Sequence, residues 1–144
     1  MAFDNIFGIA GSALNAQTVR LNTVASNLAN AGTVASSEQD AFKAKRTVFK
    51  ALVDQQLAGQ QRPANPNSGG VKVAMLTDDP KPVLRVYEPG NPMADKQGYV
   101  YGSNVNEMTE MVEMMAASRS YQNNVEVVNT ARQLMMRTID VLRG

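Results

Sequence analysis

Four carboxylates, Asp78, Asp79, Glu88 and Asp95, lie close together in the middle of the chain, beside proline and glycine turns. Paired carboxylates are the acid and base of glycosidases. Nothing nearby supplies an apolar pocket for either group, and carboxylates in turns commonly accept neighbouring backbone N–H groups instead. GIAGSAL, residues 8–14, places glycines near a helix start but lacks the GxGxxG spacing and a P-loop lysine, so it does not read as a phosphate cradle. Lys43, Lys45, Arg46 and Lys50 form a basic cluster without interleaved aromatics. That pattern reads as a solvated strand face, or as the partner of an acidic neighbour. The chain has no histidine and no cysteine, which excludes His general bases, thiol nucleophiles, disulfides and Cys/His zinc sites. No catalytic residue, metal ligand, cofactor or small-molecule substrate is therefore assigned, and the chain reads as a non-enzyme.

The elements that would position side chains are more informative. A length of 144 residues makes one folding unit, and 44% hydrophobic with 19% charged residues argues against disorder. A formal net charge of +1 gives no field for nucleic acid. The N-terminus carries Asp4 where a secretory signal needs Lys or Arg, and its apolar run is broken by Asn5 and Gly8, so no cleavable signal is expected. No stretch approaches the roughly 20 apolar residues that span a bilayer.

From Asn5 to about Ala31, Phe7, Leu14, Leu21 and Leu28 recur seven apart, interleaved with Ala10, Gln17, Val24 and Ala31. This heptad seam predicts a long helix, with Asp4 or Asn5 as N-cap. Near the C-terminus Met111, Met114, Ser118, Tyr121, Val125, Val128, Arg132, Met135, Ile139 and Leu142 alternate steps of three and four. A second long helix follows, starting near Asn104, which forms a capping-box pattern with Glu107, while Asn106 offers another cap. Glu107, Glu110 and Glu113 lie toward the positive end of its dipole, and Arg132, Arg137 and Arg143 toward the negative end. Between the helices, 54–70 is a Gln-, Asn-, Pro- and Gly-rich loop, VKVAML (71–76) and VLRVYEP (83–89) read as strands, and YEPGNP (87–92) as a turn. TVFKALV, residues 47–53, fits strand better than helix. The expected fold is α+β: a coiled-coil-like pair of terminal helices (1–32 and 104–144) around a small β-rich centre (33–103).

Two matching seams suggest each other as partners. Val112, Val127, Ala131, Leu134 and Val141 fall beside or off the C-terminal seam and are expected to stay partly exposed. The cluster Met108, Met111, Met114 and Met115 suits either an irregular core or a surface that packs against non-identical neighbours. A C-terminal helix of about 57 Å overshoots a compact chain of this size, whose radius of gyration is about 14–15 Å. Surplus apolar surface on an elongated rod points to other chains, hence to an interaction or assembly subunit. ASNLANAGT, residues 25–33, reads as the junction between helix and centre. There Gly32 would take the left-handed conformation that ends a helix, while Asn27 and Asn30 bond open carbonyls or an adjacent helix.

IAGSALNAQTVRLNTVASNLANAGT (9–33) resembles the N-terminal signature of the bacterial flagellar basal-body rod proteins. VYEPGNPMADKQGYV (86–100) and MAASRSYQNNVEVVNTARQLMMRTIDVL (115–142) resemble the proximal rod subunits of that family. The resemblance implies a structural subunit exported without processing, polymerising in the periplasmic space into the shaft that carries torque from motor to hook and filament. It implies copies of itself, other proximal rod subunits, the distal rod, and the export-gate and membrane-ring side of the basal body as neighbours. By position, Leu14, Leu21, Val24 and Leu28 on one helix and Tyr121, Val125, Val128 and Met135 on the other become assembly residues, with Phe7, Met111, Met114, Ile139 and Leu142 continuing the faces. The competing readings are a free-standing coiled-coil adaptor, which would form a discrete small oligomer, and a cell-wall hydrolase using the carboxylates.

Overall fold

The computed structural model describes residues 2–52 and 69–143, so most of the expected 54–70 loop lies outside the described residues. The elements run α1 (Ala2–Ala29), β1 (Val34–Ala35), β2 (Lys45–Ala51), β3 (Val71–Asp78), β4 (Leu84–Tyr87), β5 (Tyr99–Gly102) and α2 (Glu107–Arg143). This is the α+β arrangement expected, with two long helices and a small antiparallel centre. Among the described residues no helix is long and apolar enough to cross a membrane.

The helix boundaries correct the capping expectations. α1 already includes Asp4 and Asn5, so neither stands outside it as a cap, and the Asn5 Oδ1 is buried with no hydrogen-bond partner among the described residues. At the other end Gly32 does not adopt positive φ. The chain leaves α1 by tightening: the Ala31 N–H donates to Leu28 O and the Thr33 N–H to Asn30 O, while the Asn30 amide donates to Ser26 O at 2.8 Å. Such i to i−3 bonds satisfy terminal carbonyls without a left-handed residue. For α2 the cap is Asn106, whose Oδ1 accepts the Thr109 N–H at 2.9 Å. Asn104 is used elsewhere, as described below.

β2 and β3 form a separate antiparallel hairpin, in register from Lys45↔Asp78 to Ala51↔Val71 with an irregularity between Val48 and Phe49. It lies along α1, tied at one end to Asn27 and at the other to Ser12, whose Oγ accepts the Val71 N–H at 3.1 Å. Gly70 holds φ +116 there, and a Cβ would sit 2.5 Å from Ser12 Oγ, so only glycine permits this approach.

The second sheet has strand order β1-β5-β4. β1 and β5 are absent from the sequence reading because a two-residue and a four-residue strand carry almost no periodic signal. Val100 is buried on the inner face, while Arg85 on the outer face stacks 3.8 Å over the Tyr99 ring. The β4–β5 turn is held by Asp95, which accepts the Gln97 N–H at 2.8 Å and the Tyr99 N–H at 2.9 Å.

α1 and α2 pack antiparallel: Asn27 meets Glu110, Arg20 pairs with Glu113, and Ile6 shares a hollow with Ala131 and Leu134. At 1.5 Å per residue their 28 and 37 residues make rods of about 42 and 56 Å. α2 runs on about two turns past Leu134, to Arg143.

Candidate assembly interface

On α1 the predicted seam holds. Ala10 and Val24 are buried, and Phe7, Leu14, Gln17, Leu21, Leu28 and Ala31 are half-buried. On α2 only half of it does. Met114, Val128 and Met135 are half-buried and Tyr121 sits at the margin, but the alternate positions are shifted by one residue. Glu110, Ala117 and Ala131 are the buried residues of α2, with Asn124 half-buried between them, in place of Met111, Val125 and Arg132, while Ser118 is half-buried beside Ala117. One residue is about 100° of helix rotation. The helix therefore presents small and hydrogen-bonded side chains to α1, which lets the backbones approach, and turns its larger apolar row outward. Ala131, expected beside the seam, lies in it for the same reason.

The outward row is substantial. Met111, Val125 and Ile139 are exposed, as are Val112, Val127 and Leu134, and Leu142 is 80% exposed where α2 is running out. Of the methionine cluster, Met108, Met111 and Met115 face outward and Met114 inward. A hollow of about 390 Å³ between the N-terminal part of α1 and α2 is lined by Ile6, Val127, Ala131 and Leu134, with Glu126 at its polar side. Exposed apolar surface over this length is far more than isolated surface residues account for.

Where hairpin and helices meet, the chemistry is polar and buried. Asn27 and Glu110 are both 0% exposed. The Asn27 amide donates to Lys45 O and to Glu110 Oε2, each at 2.9 Å, while its Oδ1 accepts the Lys45 N–H at 2.8 Å. One side chain thus satisfies both backbone groups of Lys45, as a neighbouring strand would. Arg46 donates from Nη1 to Glu110 Oε1 at 2.7 Å and from Nε to Asp79 Oδ2 at 3.3 Å. Asn104 accepts the Ala44 N–H at 2.7 Å and donates to Lys81 O at 2.8 Å, closing the lower side. Burial opposes the Arg46 charge, but Glu110 and then Asp79 more than offset it, leaving its pKa raised.

The sequence reading left Asn27 a choice between open carbonyls and an adjacent helix, and the basic cluster a choice between a solvated strand face and an acidic neighbour; Asn27 reaches Glu110 on α2, and Arg46 reaches Glu110 and Asp79. Lys45 also pairs with Asp78. It did not find Glu110, read only as a dipole acid. Its signal was the heptad Glu110, Ala117, Asn124, Ala131, a small-and-polar row beside the more apolar one.

The four central carboxylates are each engaged with structure. Asp79 is held below the ordinary carboxylate range by the Lys81 N–H and then Arg46. Asp95 is lowered by the Tyr99 and Gln97 N–H groups, aided by the Tyr101 hydroxyl and Arg85. Glu88 accepts from the Asn91 amide at 2.9 Å. A glycosidase acid needs the opposite shift.

Two family models match the chain: Flagella basal body rod protein over residues 7–34, and Flagellar basal body rod FlgEFG protein C-terminal over residues 96–141. The first covers most of α1 and ends at Val34, the start of β1, and the second covers β5 and nearly all of α2. Among curated relatives, the flagellar basal-body rod protein FlgC of Salmonella typhimurium is 50% identical over 96% of this chain and 97% of its own length. That of Yersinia enterocolitica is 49% identical over the same shares. The FlgC of Bacillus subtilis is 31% identical over 92% of this chain and 93% of its own. With the terminal helices matched to rod-protein models and identity sustained along nearly the whole length of each partner, the chain belongs to the FlgC family of flagellar basal-body rod proteins.

Proposed function

We propose that this rod subunit joins its neighbours through the outward apolar face of α2, the α1 residues Phe7, Leu14, Leu21, Val24 and Leu28 being half-buried or buried within the chain. The parts 1–32 and 104–144 would form the inner assembly region and 33–103 the outer one. The observation that carries the reading is the row Met111, Val125, Ile139 and Leu142, which keeps apolar surface exposed among the described residues along a helix of about 56 Å. Copies of this chain and the other proximal rod subunits are its natural neighbours, with the distal rod, export gate and membrane ring at the ends of the stack. The subunit reaches the periplasmic space without a cleaved signal and works there as one element of a torque-bearing shaft. Many interdigitated apolar contacts suit that task, because sliding past one another uncovers a whole set of side chains at once. The role is structural and calls for no catalysis.

Leu142→Asp tests this reading. A charge at the proposed contact leaves the monomer folded, because Leu142 is already 80% exposed within the chain, yet abolishes incorporation into basal bodies and motility. Normal motility with normal incorporation would sink the assignment of this face.

A further inference from the structure

We infer that Glu110 is a positioning residue: together with Asn27, Arg46 and Asp79 it fixes one angle between the β2–β3 hairpin and the helical pair, a role separate from stabilising the fold. The two oxygens of Glu110 are divided between α1 and β2, Oε2 receiving Asn27 at 2.9 Å and Oε1 receiving Arg46 at 2.7 Å. Hydrogen bonds are directional, so the start of α2 is located against both elements at once. Asn27 in turn holds both backbone groups of Lys45, which fixes α1 about its own axis relative to β2. Arg46 continues to Asp79, whose N–H donates to Ala44 O at 2.7 Å, so the far end of β3 joins the same lock.

Apolar packing offers no comparable direction here. The fully buried apolar residues of the helical pair are Ala10, Ala16, Val24, Ala117 and Ala131, mostly alanines, with larger side chains such as Leu14, Leu21 and Val128 only half-buried around them. The hairpin has only two strands, and its Val48, Phe49, Met75 and Leu76 are exposed, so it contributes little to holding itself in place. Enclosing a carboxylate against a guanidinium adds little net stability once its desolvation is counted. What the cluster does supply is a single satisfied geometry. A wrong hairpin angle leaves Glu110 buried without its donors. The surfaces that α2 and the hairpin turn outward are thereby held at one mutual angle, in the free chain as well as in any assembly.

The test uses spin-label distances in the full chain, which contains no cysteine of its own. One pair, Met75→Cys with Gln122→Cys, reports the angle between hairpin and helices. A second, Asn22→Cys with Gln122→Cys, reports the helical pair alone. In the apolar background Asn27→Leu, Arg46→Met, Glu110→Met, the chain keeps its melting temperature within a few degrees, the first distance broadens or splits, and the second stays narrow. Glu110→Gln, which keeps the shape, gives the same pattern more weakly and serves if the triple variant does not fold. An unchanged narrow first distance overturns the inference, as does a large fall in melting temperature with both distances unchanged. Equal broadening of both pairs also overturns it, because the whole helical pair has then loosened. These readouts are taken on the isolated chain, so they stand or fall independently of the assembly reading.

Discussion

The two ends of the helical pair are held by different physics. Where α1 ends and α2 begins, Asn27, Arg46, Asp79 and Glu110 form a cluster of directed hydrogen bonds that satisfy one another. Where α1 begins and α2 ends, the contacts are apolar and incomplete: Ile6, Val127 and Leu134 line an open hollow, and Val141 and Leu142 are 81% and 80% exposed. Directed polar contacts specify one arrangement and penalise all others. Apolar surface is indifferent to direction and gains from any cover that excludes water. The chain fixes itself at the first end and leaves the second to be completed by neighbours.

The strongest way to break this contrast is at the joint. Arg46→Ala leaves Glu110 enclosed without its guanidinium. The expected loss is roughly 3 kcal/mol, at the lower end for a broken buried pair because Arg46 is itself about one-third exposed. Urea unfolding of the variant against the parent measures it, and a loss near zero would make the joint no more than a surface ion pair.

Acid should act on the same end. Asp79 has a folded pKa below its unfolded value, which lies near 4. Its contribution is therefore present above about pH 4 and is lost as pH falls through the lower, folded value. Urea midpoints between neutral pH and about pH 3 are expected to fall less steeply in Asp79→Asn than in the parent. Equal acid slopes would remove Asp79 from the account.

The smallest effect sharpens the contrast from the other side. Val141→Ser removes apolar surface that is already in water, so the monomer is expected to change by less than about 0.5 kcal/mol. The same substitution should weaken incorporation into basal bodies. A clear stability loss in the monomer would show that the end of α2 is covered within the chain after all.

Much of this was legible in the residues. The heptads of Phe7 to Leu28 and Met111 to Leu142 gave two long helices, and 3-residue and 4-residue steps need only local geometry to be read. Val71 to Leu76 announced a strand by its β-branched residues, and residues 9–33, 86–100 and 115–142 carried the rod-protein resemblance. Three details escaped for physical reasons. Gly32 looked like a helix stop, but i to i−3 bonds and the Asn30 amide already satisfy the end of α1. Asn104 looked like a cap, but it bridges Ala44 and Lys81, which lie 60 and 23 residues away in the chain. Periodicity chose Met111 and Val125 for the α2 seam, because it rewards the most apolar row and knows nothing of partners.

The sequence by itself thus determined that two long helices and a small β-rich centre would form, that most enzyme chemistry based on His or Cys was closed, and that apolar surface would be left over. Those properties follow from residue types and short-range spacing. Only the tertiary structure decided which face of α2 turns inward. Burying Glu110 is unfavourable until Asn27 from α1 and Arg46 from β2 arrive together, and residues separated by 83 and 64 positions meet only in the folded chain.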